Sequence, residues 1–320
     1  MVKASVCIPT YNRVHYLAEA IASVQQQTFP DWEVIVCDDG SQDNTPNFMA
    51  TLTDPRIRYI RHERNIGKSN NMISGYAAAQ GEYFIKFDDD DRLTPDFLQK
   101  TAAVLEQHPE IDLVSTDHWV INPQSQRQPA LTDANSQRWG RTTLPAGPVA
   151  NLTAQVFVQQ SLQIGATLLR KRVLDEVSYM RPNLQNCEDN DLLVRLALMG
   201  KQAYYLPERL MEYRFHPEQQ GIGRAIPYLQ DKIHYLELYQ FENAELESIR
   251  QQRLRETQLL LGLRLVEVGE TRKGKELLKM GKAHSAQKAQ IGQLIAAFPP
   301  PVRPALFAIL RRLKPAAKAS

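Results

Sequence analysis

One pattern repeats along the first hundred residues: a short apolar run, then a stretch whose apolar residues recur three or four positions apart. Residues 3–9 (KASVCIP) predict a short buried strand. Val14, Leu17, Ile21 and Val24 share one helical face and predict a helix over 14–27. Residues 32–37 (WEVIVC) predict a second strand, and a helix follows from Asp43, behind Asp, Ser and Asn capping chemistry. The rhythm continues with a strand over 57–60, a helix over 69–79, a strand over 82–87 (EYFIKF) and a helix over 94–107 with Pro95 in its first turn. A fifth strand is predicted over 111–115. Strands alternating with helices of about 10–15 residues imply an α/β fold, a mostly parallel sheet flanked by helices. Ligands of such sheets sit at the carboxyl ends of the strands.

The rhythm then breaks. Residues 123–148 are rich in Gln, Pro, Ser and Thr and read as a loop or hairpin excursion. A strand is predicted over 162–170 and a helix over 189–199. From Pro227 onward the strands stop, and 228–241, 245–268 and 271–284 all read as helices with no repeat of fixed period. Pro299, Pro300 and Pro301 mark a hinge. Beyond it Val302, Leu306, Ile309, Leu310 and Leu313 share a helical face, with Arg303, Arg311, Arg312 and Lys314 on the rest. The division expected is an α/β domain over 1–226, an all-helical extension over 227–298 and a basic amphipathic tail over 299–320 behind the proline hinge.

Composition changes this picture in two places. The three cysteines, Cys7, Cys37 and Cys187, include no CxxC pair, which argues against a zinc knuckle, a redox dithiol or a disulfide framework. They fit a reducing compartment, with Cys7 and Cys37 as buried thiols. The net charge of +2 is a cancellation: residues 1–249 carry 23 Lys and Arg against 32 Asp and Glu, and residues 250–320 carry 15 against 4. No apolar run approaches the ~18 residues of a membrane span, and the first residues run into a strand rather than a signal peptide. The expectation is a cytoplasmic protein whose basic tail over 302–314 is a candidate for peripheral attachment to anionic lipid at the inner face of the membrane. Nucleic acid is not expected, since no aromatic residues interleave the basic ones.

The candidate chemistry lies where the sheet expects it. Thr10 to Arg13, Asp38 to Ser41 and Asp88 to Asp91 all follow strands. Paired carboxylates with no basic partner, as in Asp88–Asp91, favour a hard divalent cation such as Mg²⁺ or Mn²⁺. A calcium loop is excluded, because Arg92 and Leu93 stand where a ligand and the turn glycine are required. A carboxylate in Asp38-Asp39-Gly40-Ser41 could accept from a nucleobase imide or a ribose, and Tyr11 offers a ring for stacking. Glu188 and Asp189 precede a helix. Read singly, these are an acidic loop, an Asp-Gly turn and a helix start with favourable acidic residues.

Read in order, PTYNR at 9–13, CDDGSQDNT at 37–45, RNIG at 64–67, GEYFIKFDDDDRLTPDF at 81–97 and CEDNDLLVRL at 187–196 resemble a family 2 glycosyltransferase of the GT-A fold over residues 1 to about 220. The resemblance implies a metal-dependent enzyme that moves one sugar, with inversion, from a nucleotide-diphosphate donor, UDP-linked, to an acceptor hydroxyl of a cell-surface or lipid-linked glycan. It implies that Pro9, Tyr11, Asp38, Asn65 and Gly67 line the nucleoside side, with Asp38 reading the base and Tyr11 stacking on it. Asp90 would bind Mn²⁺ or Mg²⁺, and Asp88 would face the ribose or the metal. His216 would reach the metal or diphosphate, with Arg214 a weaker diphosphate candidate. Asp189 would be the general base, helped by Glu188. The QxxRW motif of processive synthases is absent, which favours single-sugar transfer. A sugar nucleotidyltransferase would need a Gly-rich loop and lysine after the first strand, where Ile8-Pro9-Thr10-Tyr11 stands. A catalytically inactive nucleotide-binding scaffold of the same fold is the other alternative; the intact Asp88, Asp90 and Asp189 argue against it.

Overall fold

The computed structural model describes residues 2–215 and 222–312. The chain divides into two compact units, 1–216 and 217–320.

In the first unit, β1 (Ala4–Thr10), α1 (Val14–Gln25), β2 (Trp32–Asp38), α2 (Thr45–Thr51), β3 (Ile57–Arg61), α3 (Lys68–Ala78) and β4 (Tyr83–Lys86) follow the expected alternation. β5 (Arg92–Leu93), α4 (Phe97–Gln107), β6 (Leu113–Ile121), α5 (Pro129–Arg138), β7 (Gly147–Pro148), β8 (Thr167–Arg170), α6 (Lys171–Glu176), α7 (Glu188–Leu198) and β9 (Ala203–Arg214) complete it. The nine strands form one sheet in the order β3-β2-β1-β4-β8-β6-β9-β5, with β7 on β9. β3, β2, β1 and β4 are parallel, as are β6 and β9, while β8 runs antiparallel between the two groups. This is the mostly parallel, helix-flanked α/β sheet the alternation implies. Val6, Ile8, Val34, Val36, Ile85 and Val114 pack with Leu17, Ile21, Leu98 and Leu105 of the helices into one core. Cys7, Cys37 and Cys187 are all buried.

Several elements differ from expectation. α4 starts at Phe97 behind the cap position Asp96, so Pro95 lies before the helix, where its carbonyl accepts from Thr28 N. The 123–148 excursion contains α5, whose buried positions are Thr132 and Ser136 rather than apolar residues. Thr132 Oγ1 accepts from Val120 N and Ser136 Oγ donates to Asp117, so hydroxyls dock this helix and no apolar periodicity marks it. β9 was not expected at all. Its middle carries Pro207, Glu208 and Arg209, and its pairing with β6 shifts register around Asp117, which hides the alternation.

The second unit is helical among its described residues: α8 (Ile222–Glu237), α9 (Ala244–Glu267), α10 (Thr271–Met280), α11 (Ala286–Ile295) and α12 (Arg303–Arg312). Leu259, Val266, Leu278, Ala289, Ile295 and Phe307 form its core, with Leu306 and Leu310 packed against it. The face of α12 differs from the expected one. Val302 and Ile309 are 44% and 53% exposed, whereas Arg303, expected on the polar face, is buried. Its guanidinium donates to the carbonyls of Ala296, Phe298 and Val266 and to Thr271 Oγ1. Arg311 pairs with buried Glu267 at 2.8 Å. The turn at Pro299–Pro301 is therefore pinned on both sides and is no free hinge. Leu313 and Lys314 lie outside the described residues. Among the described residues no helix is long and apolar enough to cross a membrane.

Candidate active site

The loops after β1 and β2 are zipped together by short polar side chains. Asn12, in the left-handed region, accepts from Gln42 N and Asp43 N through Oδ1 and donates its own N–H to Ser41 Oγ. Asp43 accepts from Val14 N at the start of α1. Asp38 is fully buried. Its Oδ1 accepts from Ser41 N at 2.8 Å and its Oδ2 from the Tyr59 hydroxyl at 2.5 Å. Asp39 accepts from Ile66 N at 2.6 Å and Gly67 N at 3.1 Å, tying the 64–67 loop to β2. Glycine is required at two of these turns. A Cβ on Gly40 would lie 2.8 Å from the Arg64 backbone, and one on Gly67 would strike the Gln185 side chain; both have φ near +85°.

This geometry revises one expected role. Asp38 has both oxygens occupied and no exposed surface, so it shapes the loop and presents no face to a base. Pro9 is buried in the β1–β2 ladder. Tyr11, 45% exposed, is the aromatic ring available beside it. Asn65 is exposed, and its Oδ1 accepts from Gly67 N.

After β4 the carboxylates meet cations. Lys86 Nζ lies 2.8 Å from Asp88 Oδ2 and 3.0 Å from Asp189 Oδ2. Lys68, the first residue of α3, reaches Glu188 Oε1 at 2.9 Å and Asp88 Oδ1 at 3.5 Å. Arg13 Nη1 lies 2.6 Å from Asp90 Oδ2 and 3.4 Å from Asp89 Oδ1. The carboxylate run thus has basic partners, contrary to the premise on which a metal was expected from the sequence. Burial alone would raise the Asp88 carboxyl, but Lys68 and Lys86 override it and hold it well below the usual carboxylate range. Burial alone would likewise lower Lys86; Asp189 and Asp88 outweigh it and keep the ammonium charged. Asp89 goes the other way, pushed up to about 7 by burial and then by Asp90. Burial and Asp90 also raise Asp91, and Glu188 is raised by burial with Lys68 opposing.

Glu188 and Asp189 open α7, where acidic residues complement the helix dipole. A third acid of that turn, Asp191, is buried between Arg181 at 3.0 Å and Arg195 at 2.7 Å, which anchors α7 independently of the site. Arg214 is also structural. It is fully buried and donates to the Asp90 carbonyl, to Glu19 and to Ser125, while its own N–H caps Asp91 Oδ1. This removes Arg214 as a diphosphate ligand. His216 lies outside the described residues.

Comparison with known proteins bears on the family and the fold. The model of the glycosyl transferase family 2 matches residues 5–161. Over 231 residues the chain is 31% identical to the uncharacterized glycosyltransferase alr2836 of Nostoc sp., covering 70% of this chain and 68% of that one. The chain belongs to glycosyltransferase family 2. Over 121 residues this glycosyltransferase is 29% identical to the UDP-Glc:alpha-D-GlcNAc-diphosphoundecaprenol beta-1,3-glucosyltransferase WfgD of Escherichia coli, covering 38% of this chain and 47% of that one. The mannosyltransferase PcManGT from Pyrobaculum calidifontis, solved with GDP-Man and Mn²⁺, matches 99% of this chain and 81% of its own at a TM-score of 0.59 and 17% identity. That likeness establishes the GT-A fold.

Whether a divalent cation fits this glycosyltransferase is a question of donors. Among the described residues no group of three or more His, Cys, Asp or Glu is placed to hold one. Mg²⁺ and Mn²⁺ at phosphate sites need fewer, taking one or two carboxylates and completing their shell with phosphate oxygens and water. Asp88 and Asp90 can supply two. Asp91 Oδ2 is buried without a hydrogen-bond partner, and burial with mutual repulsion pushes Asp89 and Asp91 up. A cation shared with a diphosphate fits the run through Asp88 and Asp90, next to the orphaned Asp91 Oδ2. Lys68, Lys86 and Arg13 are the partners that the sequence did not assign to these carboxylates. The one signal for them was a lysine at position 86 inside an otherwise apolar strand.

Proposed function

We propose that this protein is an inverting, metal-dependent glycosyltransferase that moves one hexosyl or N-acetylhexosaminyl residue from a nucleotide-diphosphate sugar to an acceptor hydroxyl. The observation that carries the reading is the meeting of Asp88 and Asp189 on one ammonium, which brings a donor-side carboxylate and a candidate base together. The acceptor hydroxyl attacks C1 of the donor sugar opposite the diphosphate. The bond from C1 to the diphosphate oxygen breaks with its electron pair on that oxygen, and the hydroxyl proton passes to Asp189. Glu188 positions the acceptor or the base. Asp90 and Asp88 would hold Mn²⁺ or Mg²⁺, which when bound supplies Lewis-acid charge to the leaving diphosphate. Tyr11 stacks on the base, in a pocket shaped by Pro9, Asp38, Asp39, Asn65 and Gly67.

A UDP-linked donor and a lipid-linked acceptor are the reading supported by the WfgD name, and Mn²⁺ by the PcManGT complex. Such acceptors place the enzyme in the cytoplasm at the inner face of the membrane. Attraction of the C-terminal segment to anionic lipid then rests on its 15 Lys and Arg against 4 Asp and Glu over 250–320. The apolar side of α12 is committed to the core of its own unit.

The test is a thermal-shift screen of UDP- and GDP-sugars with and without Mn²⁺, followed by turnover of Asp189→Asn with the stabilising donor. The variant is expected to bind the donor and lose about 10²–10⁴-fold in transfer. Stabilisation by no nucleotide sugar, or unchanged transfer in the variant, overturns the proposal.

A further inference from the structure

We infer that Lys86 is a positioning residue that sets the placement of the Asp189 carboxylate relative to the donor-side Asp88. The inference rests on the proposed role of Asp189 as the base. Lys86 is 1% exposed and stands on a central strand bonded on both sides, to β1 and β8. An apolar residue there would serve the sheet as well, since a buried ammonium costs stability unless it is fully paired. On the same face of β4, Phe84 meets Tyr76 and Tyr179 edge to face, so the lysine stem rises beside an aromatic layer and delivers only its charged tip to the site.

The fold does not need this contact. α7 is already anchored through Asp191 to Arg181 and Arg195, and through Arg195 to the carbonyls of Val177 and Tyr179. What Lys86 adds is confined to the site. Asp189 Oδ2 sits on the ammonium, while Asp189 Oδ1 is buried with no hydrogen-bond partner, so a single contact fixes the rotation of that carboxylate. The same ammonium holds Asp88 at 2.8 Å. One rigid cation therefore spaces the two carboxylates between which the sugar must pass. Lys68 makes the useful contrast. It also carries one positive charge into the site, but it joins Asp88 to Glu188 and makes no ion pair with Asp189.

The experiment measures kcat, donor KM and calorimetric nucleoside-diphosphate affinity in the full chain for Lys86→Met, Lys68→Met, Asp189→Asn and the double variant Lys86→Met/Asp189→Asn. Lys86→Met is expected to lose about 10²-fold in kcat, the scale of an ångström of misplacement, while nucleotide affinity is retained. The double variant is expected to be no slower than Asp189→Asn, since the two act as one unit. Lys68→Met is expected to weaken donor binding more than Lys86→Met does. Parallel loss of binding and turnover in Lys86→Met, additive losses in the double variant, or identical profiles for the two lysine variants each overturn the inference. If Lys86→Met does not fold, Lys86→Gln, which keeps a neutral donor, is read in the same way. Wild-type turnover in Asp189→Asn overturns the base itself. An inactive Asp189→Asn beside a fully active Lys86→Met overturns only the role of Lys86.

Discussion

The acidic pair after β2 and the acidic run after β4 flank the same strand, β1, yet they are satisfied by opposite means. Asp38 and Asp39 accept from backbone N–H groups of Ser41, Ile66 and Gly67 and from the Tyr59 hydroxyl. The backbone donors belong to the turns and Tyr59 to β3, so these hydrogen bonds cannot be given up without opening the turns; the Arg61 guanidinium adds only a longer contact, 3.7 Å from Asp38 Oδ2. Asp88, Asp89 and Asp90 are met by the long side chains of Lys86, Lys68 and Arg13. Of these, Lys68 and Arg13 are partly exposed and can exchange a carboxylate for a phosphate oxygen when a charged ligand arrives, whereas Lys86 is buried and stays in place. Similar aspartates thus do two jobs. Backbone-satisfied carboxylates fix a shape, and in the proposed reaction cation-satisfied carboxylates would manage a charge that changes.

Three substitutions test that division. The largest effect is expected for Asp90→Ala, which should abolish the dependence of nucleotide-sugar binding on Mn²⁺. Calorimetry with and without the metal reads this, and undiminished metal stimulation would leave Asp90 as a partner of Arg13 and nothing more. Asp38→Ala acts on shape. It strands the Ser41 N–H and the Tyr59 hydroxyl and should cost about 3 kcal/mol in urea unfolding, with metal stimulation intact in the folded protein. A variant that keeps its stability but loses the metal response would erase the contrast between the two clusters. Tyr59→Phe removes one hydrogen bond from the same carboxylate and should cost about 1 kcal/mol; no change in the unfolding midpoint would show that Ser41 N alone suffices for Asp38.

Much of this was legible in the chain, and the gaps have physical reasons. Apolar runs placed β1 to β4 and apolar periodicity α1, which buries Leu17, Ile21 and Val24, while capping residues marked the start of α2. Periodicity failed at α5, docked by Thr132 and Ser136, and at β9, whose register breaks around Asp117. It also failed on α12, where the buried residues include an arginine: Arg303 is held by four acceptors.

The sequence by itself determined the βα alternation, the family and the acidic residues at the strand ends, because strand, turn and cap preferences are local and repeat along the chain. Tertiary structure decided which charge meets which. Lys86 and Asp189 are 103 residues apart, and Arg13 and Asp90 are 77 apart, yet each pair lies within 3.0 Å. An ion pair depends on distance through space, and nothing in the local pattern around a lysine says which carboxylate the fold will bring to it. The same reason makes Asp38 a loop strut rather than a reader of bases, and Arg214 a buried brace rather than a ligand for phosphate.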